Sequence, residues 1–451
     1  MVGPLRRAAE AVALPARPWW PLLPLGMISV VALTVLVTRP ADWRAEPLLF
    51  SALALIMGAA ALAGTWFART RRLPLTAVLW IVAVGVVLNL LATGLSHSDD
   101  ANRYVVEGRQ ILAGDNPYTI APADARAVAL VSPEISAAVN HPEMTAIYPP
   151  AALFAHAAAQ LIAPGFLGLK ILCCAGALLA IGLVLTLLIR WRQPPGLVVA
   201  VAWSPVLPIF ASGEVHHDIL MAVLVLAALL LVSARHHAAA AITLALAILV
   251  KPFAAVLVPV LARELPKRHW WLIPATVVLA YLPFISAGPQ LFASTATFAG
   301  TMHFHGVLDP WVRLALTPLI PAERLEAAVR VVLGVVLLSG LALLWRRRSR
   351  LDLPGLSAGA LTMLLLCLPT LHPWYFMVLV VLLPFTSSWG LALWTASAGV
   401  YWLHGLAILR AHGAWSETLW VTALAHLPAL AVLIWEACAV RPAHRDNVAH
   451  G

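Results

Sequence analysis

Charge is scarce in this sequence. Aspartate, glutamate, lysine and arginine together make up 11% of 451 residues, against 62% hydrophobic, and that balance excludes a soluble globular domain of any size. Cysteine is sparser still. The four thiols, Cys173, Cys174, Cys367 and Cys438, lie in or at the edges of apolar runs, where they act as small hydrophobes, so no disulfide framework or zinc cluster is encoded. Nucleotide signatures are missing as well, both the glycine-rich strand-turn-helix unit and the GxxxxGK[ST] loop. The first apolar run, WWPLLPLGMISVVALTVLV, ends without a small-residue cleavage site and is expected to stay as a span rather than leave as a signal peptide.

What the sequence does hold is a succession of membrane-length apolar runs separated by short basic clusters, with a mean hydropathy of +0.90. The expected fold is an all-α polytopic membrane protein of about twelve to fourteen helices. The net charge of +9 is a topological signal and not a nucleic-acid footprint, because arginine and lysine gather between the spans as cytoplasmic loops require. Placing Arg6, Arg7 and Arg17 inside puts Arg69, Arg71 and Arg72 in a cytoplasmic loop and sends residues 96–148 outside. Arg190 and Arg192 then return inside only if 149–163 does not cross. Lys251 and Pro252 likewise divide the run 238–262 into a hairpin of half-helices, a break tolerated where it lines a protein cavity. The cluster RRRSR and the tail RPAHR also fall inside. One integral membrane domain results: N-terminal spans over 1–95, an acidic outer loop with interfacial helices over 96–148, and the remaining bundle over 149–451.

This topology, set by arginine and lysine alone, gathers Asp99, Asp100, His216, His217, Asp218, Lys251, His303, His305, Asp309 and His372 on the extracytoplasmic side. The densest polar stretch is SHSDDANRYVVEGRQILAGDNPY, residues 96–118. Asp100 precedes a helix-prone run and is expected to cap it. Asp99 has no such local task, and a carboxylate at a membrane boundary reads as catalytic, here as a general base. Arg103 and Arg109 either meet a phosphate or sit as solvated cations. Glu107 is explained by an i, i+4 pair with Arg103. Tyr118 and Tyr148 read as interfacial packing.

Further along, Glu214, His216, His217 and Asp218 stand at a junction of two spans, where they must be solvated, paired or metal-bound. A divalent metal is one option, with His217 and Asp218 as candidate ligands, although the spacing matches no closed zinc site. Helix capping is the plainer role for Asp218. Lys251 is a lone cation in an apolar run, suited to a lipid phosphate. His303, His305, Asp309 and Trp311, with His372, are candidates to line the same cavity.

Taken in order, DDANRYVVEGRQILAGDNPY, NHPEMTAIYPPAALF, WSPVLPIFASGEVHHD, LALAILVKPFAAVLVPVL and LHPWYF resemble the GT-C glycosyltransferase superfamily. Within it they are most similar to glycosyltransferase family 87, the bacterial polyprenyl-phosphate-mannose-dependent enzymes. The resemblance covers roughly residues 96–385. It implies a GT-C-like bundle in the bacterial inner (plasma) membrane with its site facing the periplasm or cell exterior. It also implies an inverting hexosyltransferase that moves one sugar, mannose or else a pentose, from a polyprenyl phosphate to a glycolipid or glycan acceptor. The first acid of the pair, Asp99 here, is the essential one in the family. Arg103, Arg109 and Lys251 would meet the lipid phosphate, and His216, His217, Asp218, His303, His305 and His372 would contact substrate. The partners expected are the bilayer, that lipid-linked sugar and the acceptor, with no cofactor required beyond an optional divalent cation. A secondary transporter or flippase is the alternative, but it should show two similar halves, and the sequence has no such repeat. An oligosaccharide ligase would share the topology and the lipid donor.

Overall fold

The computed structural model describes residues 18–39, 44–410 and 417–439; Arg6, Arg7, Arg17 and the RPAHR segment lie outside them. Among the described residues there is no strand, only isolated bridges from Phe304 and His305 to Thr370. The protein is an all-α polytopic membrane protein. Among the described residues seven helices are long and apolar enough to cross a bilayer, or up to eight if Pro195–Ala202 and Leu207–Gly213, bent by 59° at their break, form one span. The expected twelve to fourteen is approached only when shorter apolar helices, such as Leu22–Thr38, Asp218–Ser233 and Leu353–Cys367, are counted with them.

The helices run between two ends of the bundle. One end is basic: Arg69 donates to the Thr386 carbonyl at 2.9 Å, Arg190 to that of Ser233 at 2.7 Å and Arg263 to that of Arg348 at 3.2 Å. The other end carries Asp99, Glu214, Lys251, His305 and His372. Proline and lysine set the breaks. His237–Val250 rises to Lys251, where Pro252 removes the next donor, and Pro252–Leu257 and Val258–Ala262 lead back to Arg263. His237 stacks on His269, so both arms of this hairpin start and finish at the basic end.

Pro150–Ile162 is 13 residues long and does not cross. Tyr148 before it meets His217, and Phe166 after it stacks on His97 at 3.6 Å, so both its ends lie at the acidic end. The loop 96–148 folds over that end as three short helices, Asp100–Leu112, Ala125–Val128 and Pro133–Ala137. Its own small core joins Val106, Ala127 and Val139.

Candidate active site

Helix Asp100–Leu112 is amphipathic at the acidic end and packs on Pro150–Ile162. The two leading carboxylates separate. Asp100 does not cap the helix as the sequence suggests; it accepts from Asn140 Nδ2 at 2.6 Å and faces His216 Nδ1 at 3.8 Å. Burial, and then the adjacent Asp99, push the Asp100 carboxyl up to about 6, against the opposing pull of Asn140, Arg103 and Lys251. Asp99 occupies the cap position without capping. Its side chain is 40% exposed and pairs with Arg44 at 3.2 Å.

The segment 213–218 is held from several sides. Lys170 Nζ donates to the carbonyls of Leu95 at 2.6 Å and Gly213 at 2.5 Å, joining the start of the acidic loop to this junction. Ser98 N donates to the Glu214 carbonyl at 3.2 Å. Between Glu214 and His216 lies Val215, fully buried at φ +62°. A β-branched residue in the left-handed region is strained, and such strain gathers at functional sites. Glu214 approaches His216 Nε2 at 3.4 Å. Burial, with Asp99 beside it, pushes the Glu214 carboxyl up to about 8, while Arg44 and Lys170 oppose the shift. Burial and then the cation of Lys251 keep His216 well below the usual histidine range.

Three of the sequence's candidate cations end in different places. Arg103 is buried, and its guanidinium donates to the carbonyls of Met144 at 3.0 Å, Asn140 at 2.8 Å and His141 at 2.5 Å, so it fastens the loop and is neither a solvated cation nor open to phosphate. Lys251 is not a lone cation: it pairs with Asp218 and lies 3.7 Å from the Tyr375 ring centre. Arg109 is half-buried in the last turn of its helix. His303 is exposed, whereas His305 is buried. Asp309 pairs with Arg313 at 3.3 Å, and Trp311 is 37% exposed.

Several participants were invisible in the sequence. Glu107 does pair with Arg103, at 3.4 Å, but its other oxygen lies 3.4 Å from His156 Nδ1, and His156 Nε2 lies 3.2 Å from His217 Nδ1. All three side chains are buried, and among the described residues Glu107 Oε2, His156 Nδ1 and His217 Nε2 have no hydrogen-bond partner. Tyr148, assigned to packing from sequence, contacts His217 at 4.5 Å between ring centres and Tyr104 through a 3.3 Å hydroxyl contact. His216, Trp374 and His372 stack in sequence at 3.6 and 4.3 Å.

His372 Nδ1 meets the Tyr401 hydroxyl at 2.9 Å. His305 sits at φ +56°, and its atoms are tied on every side. Its N–H donates to Glu417 at 2.9 Å, its carbonyl lies 3.1 Å from His426 Nε2, and its Nδ1 lies 2.9 Å from His404 Nε2. Thr418 N–H donates to His404 Nδ1, which places the His404 proton on Nε2 and makes His305 Nδ1 the acceptor. His305 is therefore a neutral ring that carries its proton on Nε2. No three His, Cys, Asp or Glu side chains converge as a metal requires among the described residues; His217 turns to His156 and Asp218 to Lys251.

A cavity of about 290 Å³ opens at this end, lined by Arg39, Arg44, His97, Asp99, Glu214 and Tyr401. That volume is at the lower end of small-molecule sites, which span roughly 300–1,000 Å³. Asp99 is on its wall; Asp100 is not.

Residues 24–265, more than half of the chain, match the family model described as alpha-(1->6)-mannopyranosyltransferase, N-terminal domain. No curated protein matches the chain.

Proposed function

The chain belongs to the alpha-(1->6)-mannopyranosyltransferase family and is a glycosyltransferase acting on mannose, and from this we propose that it takes a single mannose from a polyprenyl phosphate and places it on a hydroxyl of a glycolipid or glycan. The observation that carries the proposal is the position of Asp99, a carboxylate on the wall of a cavity that adjoins the bundle's apolar helices. The absence of a nucleotide-binding motif supports a lipid-phosphate donor.

In the proposed step the acceptor oxygen bonds to C1 of mannose as the bond from C1 to the phosphate oxygen breaks. The bonding pair stays on the phosphate, and the acceptor proton passes to Asp99. One displacement inverts C1, so an α product requires a β-linked donor. The lipid phosphate is a competent leaving group once a cation meets its charge. Basic clusters at the opposite end of the bundle support a plasma-membrane orientation with this site on the extracytoplasmic face.

The test is transfer of labelled mannose from synthetic polyprenyl-phosphate-mannose to a membrane glycolipid extract, with wild type and Asp99→Asn compared. A loss of about 10²- to 10⁴-fold in a folded variant is expected. Equal turnover in both proteins would move the base to Asp100 or Glu214. Transfer from a nucleotide sugar but not from the lipid would overturn the donor.

A further inference from the structure

We propose that Glu214 is the acid of the transfer, giving its proton to the departing phosphate oxygen while Asp99 takes the acceptor's; this deepens the mannosyl-transfer reading above and rests on it. The first step is placement. Glu214 and Asp99 stand on the wall of one cavity. The Ser98 N–H donates to the Glu214 carbonyl at 3.2 Å, so the backbone just before one acid is tied to the other. Glu214 N–H in turn donates to the Ile209 carbonyl at 2.8 Å, and the strained Val215 follows it. These constraints fix the root of the Glu214 side chain.

The second step is environment. The Asp99 side chain is 40% exposed and pairs with the Arg44 guanidinium at 3.2 Å, so water and a cation surround the assigned base. The Glu214 side chain is only 11% exposed. His216 Nε2, 3.4 Å from it, makes no hydrogen bond among the described residues, and burial keeps that ring from carrying a charge that would ionise the acid. Asp99, Asp100, Arg44, Lys170 and His216 face Glu214, and Tyr401 shares its cavity. Burial and then Asp99 outweigh the two cations and push the Glu214 carboxyl up to about 8. Two carboxyl groups in such unlike surroundings on one wall are the arrangement of an acid and a base that work on one substrate.

The third step is the chemistry. When the bond from C1 to the phosphate oxygen breaks, the bonding pair would leave the phosphate with a second negative charge, beside Asp99 and Asp100 and in the burial that already holds Glu214 protonated. The Glu214 proton passes to a phosphate oxygen instead, and the lipid leaves as a hydrogen phosphate with a single charge. Phosphate monoesters take up this proton near about 6 in water, and the neighbours that raise Glu214 raise that value in the cavity as well. The acceptor proton goes to Asp99. The step therefore ends with Asp99 protonated and Glu214 ionised, and one proton passed from Asp99 to Glu214 restores both, with none gained or lost overall.

The experiment measures mannose transfer from synthetic polyprenyl-phosphate-mannose by the full-length wild type and Glu214→Gln in detergent across pH, with binding of a short-chain polyprenyl phosphate recorded in parallel and thermal midpoints to show that the variant is folded. Glutamine keeps the size and an N–H donor but has no proton to give. Its kcat should fall about 10²-fold while KM changes by less than about twofold. In wild type kcat/KM should drop about tenfold per pH unit above about 8, and the variant should lack that limb. A raised KM with kcat unchanged would make Glu214 a sugar contact and overturn the acid. So would a limb that persists in the variant, which would belong to Lys170 or another neighbour. Binding of the product lipid should weaken above about pH 8 in wild type but not in Glu214→Gln, because an ionised Glu214 repels the phosphate. If wild type transfers mannose while neither kcat nor binding responds to the substitution, the acid is wrong and the mannosyl-transfer reading stands. If wild type transfers none while the binding limb is present, that reading fails and the contact of Glu214 with the phosphate stands.

Discussion

Val215 shows how much this site asks of single residues. A valine at φ +62° costs on the order of 1–3 kcal/mol, and it persists only because the segment is fastened by Lys170, by Ser98 and by its own hydrogen bond to Ala211. That strain fixes Glu214 and His216 on either side of it. Glu214 has a measurable consequence. Its carboxyl is pushed up to about 8 by burial, then by Asp99, so the folded state holds a proton that the unfolded chain releases near 4.5. The unfolded state binds fewer protons across that window, and stability must fall as pH rises from about 4.5 to about 8. Glu214→Gln should remove this slope. Thermal midpoints in detergent should agree near pH 5 and diverge in favour of the variant toward about pH 8.5; parallel curves would sink the assignment. The residues that sequence picked out were those whose locality made them anomalous, such as Lys251 in AILVKPF or two acids after an apolar span. Glu107 escaped because Arg103 explained it one turn away, and His156 because its partner His217 is 61 positions distant. Arg44 escaped for the same reason, 55 positions before Asp99.

At the scale of elements, the site depends on how closely two helices cross. A Cβ on Gly108 would lie 2.6 Å from the carbonyl oxygen of His156, so Asp100–Leu112 and Pro150–Ile162 touch backbone to backbone there, as small residues permit in membrane bundles. This crossing brings Glu107 to His156 and, through Arg103, holds the loop at 140–144. Gly108→Ala must push the helices apart because the obstacle is backbone. A cost of about 1–3 kcal/mol is expected from overpacking, seen as a lowered thermal midpoint and lost transfer. Gly182, in helix Phe166–Arg190, has nothing within 4 Å of the same atom. Gly182→Ala should leave both readouts unchanged or gain slightly in stability; equal damage in the two variants would show that the crossing is not what matters. The broken elements were legible in the sequence because charge balance demanded them: both 149–163 and the Lys251 hairpin return to the end from which they start. The helix count was less legible, since apolar length alone does not reveal which runs stop at 13 to 17 residues when they pack inside the protein.

For the whole molecule, the proposed orientation of the site in the membrane rests on the separation of charge between the two ends. Arg69, Arg190, Arg263 and Arg348 meet carbonyls at one end, and Asp99, Asp100 and Glu214 crowd the other around the cavity. A chain inserted by the positive-inside rule retains the first end in the cytoplasm and exposes the second. A lipid donor fits that geometry, because no nucleotide sugar has to be supplied beyond the membrane. Glu143, 70% exposed on the acidic loop, and Arg350, exposed at the basic end, report the two faces. Cys438 is exposed and the other three thiols are buried, so replacing Cys438 by serine leaves a quiet background. In that background Glu143→Cys should react with a membrane-impermeant maleimide in intact spheroplasts, and Arg350→Cys only after permeabilisation. The reverse pattern would put Asp99 and the cavity in the cytoplasm, where soluble nucleotide sugars are present, and would remove the topological reason for a lipid-borne mannose.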